Sequence, residues 1–438
     1  MSSSGIHPSM VIRVHAPDRT PRHEAAFDWV LTAVLGLKWR WEDDVDVYQN
    51  DVEGVRCHYG ASLDLPGVAF PAEGLLSELG QLRPKAPEIE GGNADLFAAA
   101  FWMGSRMEEF LPQALRDDHG RFDPSGSEPE QKGWLARPVC EEWAFQIGEK
   151  LLGEKAWPAH RQRLLEAHRV EPTLDVDSAY AFRGKGAYRT LGATFRDLLR
   201  GKLRHAWRRW AVIMGQWKDP YDTYNLASQW HDDHALKVRW FFLLADFGAF
   251  DKGLPSSSPL LARLMRTLER QEANEVHWHP GHQAASDGAA LKSEFKAFER
   301  IMGRPPLASR QHYLRMEPTL SRRRLLDMGI QQDHTEGHAK CTGWRGGFAR
   351  HRRWYDLEAE ILTALELYPF AAMDATFLRY MKVPPEDVPQ EMGVLADAVR
   401  KTGGPLRFLW HNESLCPEDQ WRHWGQVYPA VLKATCER

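Results

Sequence analysis

The stretch TLDVDSAY, residues 173–180, sets two carboxylates, Asp175 and Asp177, on either side of a valine after an apolar lead-in. In an extended chain residues i and i+2 point to the same face, so both can reach one site. Two carboxylates that close repel, and one takes up a proton unless a cation or a donor lies between them. A divalent metal resolves the conflict: one carboxylate ligates it, and the other stays free to take a proton from a metal-bound water. Alone, DVD is explained as well by a solvated turn, but the chain carries further groups of the same kind. His277, His279 and His282 fall in HWHPGH, Arg310 and His312 in SRQHYL, Asp333 and His334 in QQDHT, and His411 and Asn412 in LWHN; Asp246 follows another apolar run. Imidazole and carboxylate together suit Zn²⁺ with an open fourth position. The expected cofactor is therefore a divalent metal, with zinc matching the ligand chemistry.

These groups recur at the ends of candidate strands. TLDVDS, VRWFFLLAD, EVHWHP, ASRQHYLRM, QQDHT and PLRFLWHNE read as strands. Between them lie helical patterns such as YRTLGATFRDLLRGKLRHAW, SPLLARLMRTLERQ, LKSEFKAFERIMG, TLSRRRLLDMGI and PPEDVPQEMGVLADAVRKTGG, and DQWRHWGQVYPAVLKAT closes the chain as a last helix. Such alternation predicts parallel strands with helical crossovers, and six or more units point to a (β/α) barrel whose chemistry sits at the C-terminal strand ends. Before about residue 165 the pattern is irregular. EAAFDWVLTAVLGL and LFAAAFWMGSRMEEFL have helical spacing, DVDVYQ reads as a short strand, and a charged helix over 141–168 leads into the regular part. The predicted organisation is an N-terminal α/β or α+β domain at 1–165, carrying no catalytic residue, and a distorted barrel at 166–438.

Composition narrows the class. The 438 residues are 43 % hydrophobic and 26 % charged, as in globular proteins with a large core. A net charge of −4 gives no basic footprint for nucleic acid. The expectation is neither a membrane span, since no 18-residue apolar run occurs, nor a signal peptide in the first 20 residues. Five scattered cysteines without CxxC spacing suit reduced thiols in the cytoplasm. The 18 tryptophans supply core packing and, in part, platforms for sugar rings.

From about residue 170 the sequence resembles the polysaccharide deacetylases of the NodB-homology type. TLDVD stands where that family has a T-F-D-D-like strand end, with one residue inserted. HWHPGH stands for the family's pair of histidines four apart, with spacings of two and three instead. SRQHYL keeps the arginine of the third motif but has His312 where a proline is usual, and LWHN matches L-x-H. A bacterial branch of the family is similar over more of the chain, through DVDSAYAFRGKG, DPYDTY, FGAFDKG, SRQHYLRM, GWRGG, LYPFAAMDAT and LWHN, and upstream through FWMGSRMEEF and DDHGRF. The resemblance implies removal of acetyl groups from N-acetylated sugars of a glycan or its precursor. Asp175 then matches the general base and Asp177 the ligand, the inserted residue leaving that order open to exchange. His279 is the first imidazole ligand and His312 the preferred third ligand, with His282 as its alternative. Arg310 pairs with Asp175 or Asp333, and His411 is the general acid. Trp410, Asn412, Asp333 and Arg345 fall to the substrate. His277 packs. Asp219 and Asp222 line the substrate groove or, as the preferred reading, form a turn around Pro220; Asp374 caps a helix, and Arg106, Glu108, Glu109 and His119 are surface or turn residues. The altered second motif also fits an inactive barrel that binds a glycan or protein partner in surface-polysaccharide assembly. An amidohydrolase acting on a small non-sugar amide is the third reading.

Overall fold

The structure, a computed structural model, describes residues 11–50, 54–60, 65–90, 94–416 and 421–437. The first ten residues, half of the stretch read above for a leader, and positions 419–420 of the last predicted helix lie outside them. Among the described residues twelve strands form: β1 (Val11–His15), β2 (Lys38–Trp41), β3 (Val55–Tyr59), β4 (Val68–Phe70), β5 (Arg169–Val176), β6 (Val238–Leu243), β7 (Asn274–His279), β8 (Ala308–Ser309), β9 (Gln332–Asp333), β10 (Arg352–Asp356), β11 (Ile361–Leu367) and β12 (Pro405–His411). The chain is mixed α/β, in two compact units.

The first unit comprises residues 1–169, 331–372 and 394–407, and so takes in two segments from the later part of the chain. Its parallel sheet runs β2-β1-β3-β4, with Ile12 opposite Trp39 and Val55. Helix Leu96–Ser105 is buried along its whole length in the core beside that sheet, which is why its sequence is apolar on every side. β10 and β11 pair antiparallel, and β9 joins β11 in parallel. DVDVYQ, predicted as a strand, lies instead in helix Val45–Asn50. Asp44 accepts bonds from the Asp46 and Val47 amides, and this cap outweighs the two-residue alternation.

The second unit comprises residues 170–330, 373–393 and 408–438. Here β5, β6, β7 and β8 are parallel neighbours, with β12 on the other side of β5. The register sets Asp175 opposite Phe241, Phe241 opposite His277, and Leu243 opposite His279, so the polar residues emerge along one edge. From Trp240 to Leu243 β6 is apolar and buried, as a strand covered on both faces must be. Helices Pro259–Glu269 and Gly288–Met302 make the crossovers between β6, β7 and β8. The second starts at Asp287, whose carboxylate caps the Ala289 and Ala290 amides. Two predicted elements change. The helix read through 188–207 is two helices, Ala187–Leu199 and Leu203–Ile213, parted at Gly201 with φ of 67°. The strand read as ASRQHYLRM stops at Ser309, because Tyr313 and Leu314 take left-handed φ values of 61° and 54°.

Candidate metal centre

Asp177, His279 and His312 bring their ligand atoms within 4.8 Å of one another. Asp177 follows the end of β5 and is partly open to solvent, while His279 ends β7 and is buried. His312 reaches the same point from the turn after β8. Its amide bonds to the Pro280 carbonyl at 2.8 Å, which fastens that turn to the end of β7. Gly281 allows the close approach: a Cβ there would lie 2.4 Å from the Ala245 Cβ. The left-handed backbone at Tyr313 and Leu314 stores strain directly beside His312.

Each imidazole is tied from behind. The His279 Nδ1–H donates to the Arg310 carbonyl at 2.5 Å, and the His312 Nδ1–H donates to Asp251 at 2.7 Å. These bonds fix the tautomers and turn both Nε2 atoms toward Asp177, at 3.3 Å for His279 and 3.2 Å for His312. Asp177 Oδ1 and His279 Nε2 are buried without a hydrogen-bond partner. Orphaned donor atoms aimed at one point, with carboxylate and imidazole chemistry, fit a divalent cation. Burial pushes the Asp177 carboxyl up, but the neighbouring His312 and His411 imidazoles outweigh it and hold the group well below the usual carboxylate range. Burial likewise lowers the His312 imidazole, and Asp177 and Asp251 more than reverse this, raising it to about 9. A proton there takes the place that a cation would fill.

Two further groups face the cluster. Asp175 is buried, and its Oδ1 accepts from Arg310 Nη1 at 2.7 Å; Oδ2 lies 3.7 Å from His279 Nε2. Arg310 is itself fully buried and also donates to Thr173 Oγ1 at 2.9 Å. His411, at the end of β12, donates from Nδ1 to Asp374 at 2.6 Å, and its Nε2 lies 3.8 Å from Asp177 Oδ2. Burial lowers the His411 imidazole, whereas the Asp374 and Asp177 carboxylates lift it to about 10.

Other candidates lie elsewhere. The His282 ring stacks on Phe250 with centroids 4.0 Å apart and is outside the ligand cluster. His277 is buried against Phe241 and bonds to Glu275 at 3.2 Å. Asp246 is exposed. Trp410 is fully buried among Phe377, Phe408 and Tyr428; it points to the opposite face of β12 from His411 and offers a sugar no surface. Asn412 is buried and donates to the Ser178 carbonyl at 3.0 Å, bracing the backbone next to Asp177. Asp333 and Arg345 belong to the first unit. Asp333 is fully buried and caps the Thr335 amide, and Arg345 pairs with Glu109 through two contacts of 2.7 Å. Neither joins the cluster, and Glu109 is a buried ion-pair partner rather than a surface charge. Asp219 accepts bonds from the Ala181, Phe182 and Arg183 amides, as a loop anchor does.

Asp251 and Asp374 were given no place at the cluster from sequence. Asp251 lies in the loop after β6, inside FGAFDKG, where nothing local marks it; Asp374, in LYPFAAMDAT, passes for an ordinary helix cap because it does bond the Ala375 amide.

Residues 12–156 match a family model described as a family of unknown function (DUF7033). Among curated proteins, none matches the chain. The chain is similar to a protein from Mycobacterium smegmatis assigned as a polysaccharide deacetylase, at 13 % identity and a TM-score of 0.40, over 62 % of this chain and 84 % of that one. It is also similar to a polysaccharide deacetylase from Bacillus cereus, at 14 % identity and a TM-score of 0.28, over 61 % and 88 % of the two chains. At these TM-scores neither likeness carries functional weight; the side chains of the site carry it.

Proposed function

We propose that the second unit is a metal-dependent hydrolase of the deacetylase kind, built as a distorted (β/α) barrel, that removes acetyl groups from an N-acetylated sugar of a glycan or its precursor. One observation carries the reading: two imidazoles, each tied at Nδ1, turn Nε2 onto one carboxylate, while a second carboxylate and a third imidazole stand beside them. Asp177, His279 and His312 are the residues that would hold the metal. When bound, a divalent ion supplies Lewis-acid polarisation of the acetamide carbonyl and a more acidic water.

This chain's own groups do the rest. Arg310 holds Asp175 Oδ1, which fixes the carboxylate in place and leaves Oδ2 on the cluster side to accept a proton from water. Asp374 holds His411 Nδ1, so the proton on Nε2 faces the cluster and can pass to the departing amine. The five free cysteines support placement in a reducing compartment, the cytoplasm. Among the described residues no helix is long and apolar enough to cross a membrane.

The test is to measure metal content by elemental analysis and acetate release from acetylated amino-sugar oligomers by the full chain. Metal bound and acetate released, both lost on Asp177→Asn, support the proposal. Stoichiometric metal without turnover on any such sugar points to the small-amide reading. No metal, even after zinc addition, leaves the glycan- or protein-binding reading.

A further inference from the structure

The two helices after β5 are inside out. Helix Ala187–Leu199 buries Thr190 and Asp197 and exposes its apolar side chains, with Tyr188 95 %, Phe195 64 % and Leu199 72 % accessible. Tyr188, Leu191, Phe195 and Leu198 recur at steps of three, four and three, which is one helical face. Helix Leu203–Ile213 repeats the arrangement. It exposes Leu203, Trp207 and Trp210, and Met214 continues the stripe at the same spacing. Its inward side includes Arg209, which pairs with Asp197, and His205 bonds the same carboxylate at 2.7 Å. An ion pair inside and aromatic residues outside is the reverse of what a helical hairpin covered only by water selects, and an apolar exposed face of this extent marks an interaction surface.

Charge indicates what covers it. Residues 188–218 hold eight Lys or Arg and a single Asp, in a chain whose net charge is −4. A second copy docking through this face would set two such basic hairpins against each other, at a repulsive cost. Apolar side chains flanked by Lys and Arg match an interfacial helix lying in the headgroup region of an anionic bilayer. Behind the stripe, a cavity of about 590 Å³ has Lys185, Arg189, Arg196, Arg209 and Lys252 in its lining, which adds to the basic character of this side of the hairpin. Lys185 is itself tied down, donating to Ser178 Oγ at 3.0 Å.

We propose that the helical hairpin 187–217 is a membrane-docking element that lays its Leu/Phe/Trp face into an anionic lipid surface. The helices lie on the bilayer; neither is long and apolar enough to cross it. The inference stands independently of the reaction proposed above.

Co-sedimentation of the full chain with vesicles tests it. The probes are phosphatidylcholine alone and phosphatidylcholine mixed with phosphatidylglycerol, at low and high salt. Binding is expected to the anionic vesicles only, weakened by salt, with a blue shift of tryptophan emission. The combined variant Phe195→Ser, Leu199→Ser, Trp207→Ser should lose binding, and Arg196→Glu with Arg200→Glu and Arg204→Glu should weaken it about fivefold or more per charge. Metal content and turnover on a soluble substrate should stay as in the unaltered chain, so failure here is distinct from failure of the deacetylase reading. Equal binding to neutral vesicles, or binding to neither kind, overturns the proposal. So does a lipid-free dimer that the triple serine variant dissolves, which would assign the face to self-association.

Discussion

Asp251 is the sharpest test of the proposed metal centre, because it touches no proposed ligand position except through His312. Its Oδ1 accepts from His312 Nδ1 at 2.7 Å and from the His282 amide at 3.0 Å. The first bond fixes the tautomer and makes Nε2 a better donor to a cation; the second anchors the loop after β7. Replacing a carboxylate that orients a metal-bound imidazole costs about 10–100-fold in metal affinity, which is about 1.4–2.7 kcal/mol. Asp251→Asn keeps an oxygen acceptor and the shape but loses the charge, so it belongs near the tenfold end. Asp251→Ala leaves the ring unanchored and belongs near the hundredfold end. Zinc competition against a chromophoric chelator, with thermal unfolding as the control for folding, reads both variants. His282→Ala should leave zinc affinity unchanged, since its ring stacks on Phe250 away from the cluster. Wild-type affinity in both Asp251 variants would refute the reasoning. Loss of zinc with His282→Ala but not with His312→Ala would move the third ligand to His282.

Four other outcomes follow from the same geometry. Asp175→Asn should keep the metal and lower kcat by roughly 10²–10⁴-fold; loss of metal there, with retention in Asp177→Asn, would exchange the two roles. Arg310→Met leaves the Asp175 carboxylate buried and unpaired and should destabilise the chain by about 3–5 kcal/mol in denaturant titration, more than Asp175→Asn with Arg310→Met together. His411→Ala should cost less with an activated aryl acetate than with an acetylated amine, and Asp374→Asn, by removing one of the carboxylates that raise His411, should shift the alkaline limb of the pH–rate curve to lower pH. Burial, with Asp251 adding to it, pushes the Glu294 carboxyl up to about 8 against the Gly281 amide bond. The native chain therefore holds a proton that the unfolded chain has released, and stability falls as pH rises from about 4.5 to about 8. Glu294→Gln should flatten that slope in Tm measured across the window.

The parts of this arrangement that were legible in the sequence are those with a local rhythm. β6 shows as an apolar run from Trp240 onward, β7 as a buried stretch ending at His279, and helix Gly288–Met302 as an amphipathic repeat, because burial on both faces or one face imposes those patterns. What stayed hidden depends on partners far along the chain. Asp251 and Asp374 look like turn residues until His312 and His411, 61 and 37 positions away, meet them. Trp410 reads as a sugar platform by its place beside His411, yet neighbours in a strand face opposite ways, and that parity sends it into the core. Asp333 lies at the end of a strand, much as Asp175 does. Its strand belongs to the other unit, a division that no spacing in QQDHT reveals.

Of the three histidines in HWHPGH, the same geometry sends one to the cluster. Here only His279 of that segment turns to the cluster, since His277 lies one strand repeat deeper against Phe241 and His282 stacks on Phe250. The second imidazole comes from the left-handed turn after β8, held to β7 by the bond from the His312 amide to the Pro280 carbonyl. Each functional group is then braced at its rear atom, by Arg310 for Asp175, by the Arg310 carbonyl for His279, by Asp251 for His312 and by Asp374 for His411, with its front atom left to the cluster. An arginine that braces one group by its side chain and another by its backbone couples the proposed base to a proposed ligand. Loss of the Arg310 side chain should therefore disturb Asp175 first and zinc affinity second, whereas movement of the Arg310 backbone would disturb both together.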